Sequence, residues 1–196
     1  MTALDTLIPN TQLLEIDQVD VSAPAAQVWD LVRQGDLGNA PTIRALFWLR
    51  VLASREARIG SSRIRIDAMR SSPERPGFQM LAEDPPREFA VGAIGKVWKL
   101  DIPFVHVADA DAFALFSEPG FVKVAWAIRV LPRGPESSHV ELEVRVAATD
   151  VASWRKFKRY FSLIGPFSRY IRRSMLRGLV GTAAHNGPTR GSARAA

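Results

Sequence analysis

The chain has 196 residues, 47% apolar and 23% charged, enough for one globular domain whose core needs no cross-links. It contains no cysteine, which excludes disulfides, thiol catalysis and thiolate metal sites. Its net charge of +6 conceals a division: residues 1–150 carry 16 Lys or Arg against 20 Asp or Glu, whereas residues 151–196 carry 10 and no acid.

A basic terminal segment can mark an anionic partner, but charge on one helix face more often simply meets water, and that is the preferred reading here. The start, MTALDTLIPNTQLLEID, lacks a basic region followed by an apolar core, so no secretory signal is read there. No apolar run approaches the ~20 residues of a membrane span. A cytoplasmic protein is the expectation.

In chain order, residues 1–11 read as a loose leader. LLEIDQVDV (13–21) has the length and branched content of a strand, with imperfect alternation. Pro24 then suits the first turn of a helix, because its missing N–H would be unpaired there. Ala25, Val28, Trp29 and Val32 give that helix its buried side. Pro41 opens a second helix, TIRALFWLRVL, apolar on nearly all sides. From Ser62 the period changes to two. SRIRID (62–67) and GFQMLAED (77–84) read as strands, the latter with Phe78, Met80 and Ala82 on one face. REFAVGAIGKVWKL (87–100) is the next strand, with Gly92 and Gly95 predicting a bend, a bulge or the close approach of another segment. Residues 101–120 are irregular, with a short helix around Ala110–Phe116.

FVKVAWAIRV (121–130) and SHVELEVRVAAT (138–149) alternate most cleanly and predict one buried and one wet face each, as in an antiparallel sheet. LPRGPES (131–137) is the loop between them. Asp150 is placed to cap a long helix, Val151–Val180. Trp154, Phe157, Phe161, Ile164, Ser168, Ile171 and Met175 form its apolar stripe, widened by Tyr160 and Phe167. Arg155, Arg172 and Arg173 are expected on its exposed side. Gly165-Pro166 predicts a kink or a split, since Pro166 has no N–H for the carbonyl four residues back. Residues 181–196 read as a disordered tail, with almost no apolar mass.

A strand, two short helices, a run of antiparallel strands and a long C-terminal helix make a distinctive order. With VDVSAPAAQVWDLV, REFAVGAIGKVW and the aromatic terminal helix, it resembles the SRPBCC superfamily of START-like lipid-binding domains, plant pathogenesis-related allergens and polyketide cyclases. The resemblance is to small uncharacterised bacterial members near the polyketide cyclase/dehydratase branch. It covers residues 12–180, as a single domain. It implies an α+β helix-grip fold, in which a curved antiparallel sheet of about six or seven strands wraps around the long helix and encloses an apolar cavity. Such cavities take small hydrophobic molecules. The expected ligand-binding wall is Phe89, Val91, Trp126 and Ile128 from the sheet with Phe157, Phe161 and Ile164 from the helix. The plainer alternative is that these side chains make a filled core.

No reactive constellation stands out. His106, His139 and His185 are far apart and have no partner at ligand spacing, so no metal site is expected. Gly92 to Gly95 is a GxxG inside a strand with no Walker lysine and no following helix, so no nucleotide or other cofactor is expected. The leading function is binding or carriage of a small lipid- or polyketide-like molecule. The alternative is a cyclase or dehydratase using the same cavity, for which Glu88, His106 and Arg129 are the only candidate acid–base groups. Contact of the basic helix with a membrane surface ranks third. Nucleic acid ranks last, for want of any reading module, and oligomeric state is left open.

Overall fold

In the computed structural model, residues 1–34 and 71–185 are described. They form α1 (Ala3–Leu7), β1 (Leu13–Val21), α2 (Ala25–Gln34), β2 (Gln79–Asp84), β3 (Glu88–Gly95), β4 (Phe104–Val105), α3 (Ala110–Leu115), β5 (Val122–Gly134), β6 (Ser137–Ala148) and α4 (Val151–His185). The helix expected from Pro41, with Ile43, Leu46, Phe47, Trp48, Leu49, Val51 and Leu52, lies outside the described residues. So do the strand at 62–67 and the tail beyond 185.

All described strands join one antiparallel sheet in the order β1-β6-β5-β3-β2, with β4 pairing the end of β3. The sheet is curved and faces the 35-residue α4, the arrangement of a helix-grip fold. At ~1.5 Å per residue α4 is about 52 Å long. Asp150 caps it: its carboxylate accepts the Ser153 N–H at 2.8 Å, the Ser153 hydroxyl at 2.7 Å and the Gly120 N–H at 2.6 Å. Those hydrogen bonds, the Ser153 hydroxyl first, hold its carboxyl well below the usual carboxylate range. The helix runs through Pro166 as one element, so of the two outcomes expected there, a kink or a split, the split does not occur, and it extends past 180 to His185.

Strand parity sorts the core into two sides. Phe89, Val91, Ile128, Val130, Val140 and Leu142 point to the inner face, toward α2 and α4. The outer face was expected to be wet, and across the middle of the sheet it is not. Ala90, Ala125, Ala127 and Ala147 face outward and are buried under Leu4, Leu7, Ile8, Phe113 and Phe121. Small residues at these outward positions let α1 and α3 lie close against the strands. Gly92 takes this furthest, because a Cβ there would sit 2.5 Å from Leu81 Cδ1 and 3.1 Å from the Phe113 ring.

The leader is therefore not loose. Thr2 and Asp5 close a capping box at the start of α1. Leu4, Leu7 and Ile8 are fully buried. Ala82 also departs from its expected face. A register shift between Met80 and Ala82 turns it to the outer side, while Phe78 and Met80 stay on the inner one.

Candidate functional site

The inner sheet face and α4 are packed together at both ends of the helix. At the N-terminal end of the helix, Phe157 is buried between Trp154 and Phe161, with ring centroids 5.6 and 5.4 Å away, against Val122 and Val146. At the C-terminal end, Leu176, Leu179, Val180 and Ala183 join Val28, Trp29 and Val32 of α2. There Phe89 meets Trp29 edge-on at 5.9 Å and Trp126 at 5.8 Å.

Between these ends neither wall is fully covered. On the sheet, Val124, Trp126 and Val144 are only half-buried, although Trp126 and Val144 are direct cross-strand partners in its centre. On the helix, Ile164, Ser168, Ile171 and Met175 follow Phe157 at steps of three and four, so they share its inward face. They too are half-buried. Interior residues of a filled core at these positions would be sealed, as Phe89, Val91 and Ile128 are.

The seven wall residues expected from sequence thus divide. Phe89, Val91, Ile128 and Phe157 are sealed into the packed ends. Trp126, Phe161 and Ile164 keep accessible surface. Val144, Ser168, Ile171 and Met175 are likewise half-buried and were not among the seven. Strand alternation and the helical stripe put them on the same faces as Trp126 and Ile164.

One flank of this space is polar. On β1 the apolar and acidic residues exchange their usual sides: Leu14 and Ile16 face out, while Glu15 and Asp17 face in, beside Val144 and Leu142 of β6. Arg172 answers them from α4. Its Nε donates to Asp17 Oδ2 at 2.7 Å, its Nη2 lies 2.6 Å from Glu15 Oε2, and its Nη1 donates to Ser168 Oγ at 2.8 Å. Arg173 reaches Asp17 at 3.2 Å and Arg169 reaches Glu15 at 3.3 Å. Arg172 was expected to be exposed. It is instead 6% exposed, because its guanidinium is the partner that lets two carboxylates turn inward. Arg155 and Arg173 are exposed as expected.

None of the three acid–base candidates joins this wall. Glu88 and Arg129 are cross-strand partners on the outer face. Arg129 pairs with Glu141, and Glu88 accepts the Ala3 N–H at 3.2 Å beneath α1. Burial pushes the Glu88 carboxyl up, against the opposing pull of the Ala3 N–H and Arg129. Nearby, Arg145 donates to Asp5 and Glu143, both at 2.6 Å, and to the Leu4 and Ile8 carbonyls at 3.2 and 3.3 Å, which fastens α1 to the sheet. His106 sits just past β4, on the opposite edge from β1, with Nδ1 3.0 Å from Ser71 Oγ. Among the described residues no three His, Asp or Glu side chains are arranged to hold a metal ion.

No protein-family model matches the chain, and no curated protein matches its sequence. Similar solved structures exist. One is norcoclaurine synthase from Thalictrum flavum, a point mutant in complex with a transition-state analogue, at 12% identity and a TM-score of 0.43, covering 88% of this chain and 94% of that one. Another is a Streptomyces aromatase/cyclase, at 12% identity and a TM-score of 0.35, covering 91% and 98%. A third is a conserved protein from Geobacillus kaustophilus, at 14% identity and a TM-score of 0.31, covering 84% and 96%.

Proposed function

We propose that the protein binds a small hydrophobic molecule between the centre of its sheet and the middle of α4, and that it acts as a binding or carrier protein. The observation that supports this most strongly is the pairing of two incompletely covered apolar walls. Trp126 and Val144 on the inner sheet face, and Ile164, Ile171 and Met175 on the inward stripe of α4, are all only half-buried. An apolar space with a few polar groups on one side is the usual form of a small-molecule site. Here Ser168 and the Arg172–Glu15–Asp17 cluster provide that side, so the fitting ligand has an apolar body and one polar end. A lipid- or polyketide-like molecule meets this description.

Binding without catalysis is favoured over a cyclase or dehydratase by the placement of the candidate acid–base groups. Glu88 and Arg129 lie on the other face of the sheet, and His106 is tied to Ser71 beyond β4. A proton-transfer group must come within about 3 Å of the atom it serves. The cytoplasm remains the proposed location. No described helix is long and apolar enough to cross a membrane.

The test is a fluorescence titration with anilinonaphthalene sulfonate, comparing the full chain with Ile171→Trp, which fills the middle of the space. Saturable binding by the parent that falls at least tenfold in the variant is the expected result. Equal binding by both proteins would refute the assignment.

A further inference from the structure

The side of α4 turned away from the sheet carries a second apolar stripe. Leu163, Phe167 and Tyr170 are 74%, 54% and 56% exposed, at steps of four and three along one face. Exposed cations flank the trio on the same side: Lys156 and Arg159 before it, Arg177 after it. Residues 151–185 hold eight Lys or Arg and no acid, whereas residues 1–150 hold four more acids than bases. The chain is therefore polarised, with its positive end centred on this helix.

We propose that the outer face of α4 docks on an anionic lipid bilayer, seating Leu163, Phe167 and Tyr170 at the interface and the flanking Lys and Arg side chains among headgroup phosphates. An interfacial helix needs an apolar face entering the headgroup boundary by about 5–10 Å and cations beside it, and both are present. The sequence alone argued against this, because Trp154, Phe157 and Phe161 cannot grip a sheet and enter a bilayer together. The structure removes that conflict: those residues face the sheet, and a different trio faces outward.

Charge decides among occupants. A second copy meeting this face across a two-fold axis would bring two acid-free cationic surfaces together, which is repulsive. A nucleic acid would satisfy the cations, but it gives Leu163 nothing to pack against, since stacking on bases uses aromatic rings. Only an anionic bilayer satisfies both the charges and the apolar trio. The inference does not depend on the ligand-binding reading, because it concerns the opposite side of the helix.

The experiment is cosedimentation of the full chain with vesicles of phosphatidylcholine, with and without phosphatidylserine. Binding is expected only with phosphatidylserine, and it should be lost at about 1 M salt, where the Debye length is about 3 Å. Leu163→Ala combined with Phe167→Ala should weaken binding about tenfold at unchanged charge. Arg159→Gln and Arg177→Gln should each weaken it about fivefold. All four side chains are exposed, so thermal melts should match the parent. The proposal is overturned by equal binding to both vesicle types, or by indifference to the Leu163 and Phe167 substitutions. It is overturned equally by a dimer that Phe167→Ala dissolves, or by salt-sensitive RNA binding in the absence of vesicle binding.

Discussion

Arg172 Nε lies 2.7 Å from Asp17 Oδ2, and both side chains are under a tenth exposed, so the long helix is fastened to the edge strand by a buried charge pair. A buried pair is poor evidence of net stability, because desolvation offsets most of the attraction. Breaking one side of it is another matter. Asp17→Ala should cost about 3–5 kcal/mol, since it leaves Arg172 short of a partner in a place water cannot reach freely. Replacing the whole cluster, Glu15→Leu and Asp17→Leu with Arg172→Met, should recover much of that loss, because no buried charge is then left without its partner. Urea unfolding of the two variants checks both statements, and a triple variant no better than Asp17→Ala would show that the cluster stabilises outright.

The first eight residues are structural. Leu4 is fully buried on the outer face of the sheet, so Leu4→Ala should destabilise by about 2–5 kcal/mol in the same assay. A loss within experimental error would mean that α1 does not hold its place in solution.

Glu88 lies under the start of α1 with its carboxyl pKa raised by burial, so its ionised form weighs against folding. The sign follows from linkage. A raised acid contributes fully below its unfolded value, near 4.3, and loses that contribution as pH rises through the folded value. Glu88→Gln should therefore gain on the parent as pH increases from about 4 toward neutrality. Thermal melts across that range provide the readout.

Asp150 has the opposite sign. Its depressed pKa stabilises the fold above the ordinary aspartate value, near 3.9, and that contribution fades as pH falls toward the folded value. Asp150→Asn retains an acceptor for the Ser153 N–H but does not titrate. The advantage of the parent over this variant should shrink as pH is lowered below about 4. An advantage that stays constant to pH 2 would contradict the assigned clasp.

Gly92→Ala should destabilise by about 1–3 kcal/mol, because the added Cβ would be 2.5 Å from Leu81 Cδ1 and close to Phe113. Pairing it with Leu81→Ala should restore part of the loss, as measured by urea unfolding.

Much of the fold was legible because its strands alternate. Parity alone put Trp126 and Val144 on one face and Lys123 and Arg129 on the other. What parity could not show was that the second face is covered. Ala125 and Ala127 look neutral in a strand, and only the helices brought against them by the fold give them meaning. β1 was harder for a related reason. Glu15 and Asp17 occupy the inward positions and Leu14 and Ile16 the outward ones, so hydrophobicity points the wrong way until Arg172, 155 positions after Asp17, supplies the partner. The same long-range pairing explains why Arg172 seemed a surface residue. For the proposed site, the sequence pattern assigned residues to the inward faces of sheet and helix but not which of them stay partly exposed. That depends on which inward residues the ends of α4 seal, as with Phe157 and Leu176, and which they leave uncovered, as with Ile164 and Ile171.

The most direct test of the ligand space is native mass spectrometry of the protein purified from its own host without organic solvent. A mass excess from a bound apolar molecule is expected, removable by solvent extraction and absent from Ile171→Trp. A parent protein that flies only at its bare polypeptide mass, and takes up no hydrophobic probe when offered one, would contradict it.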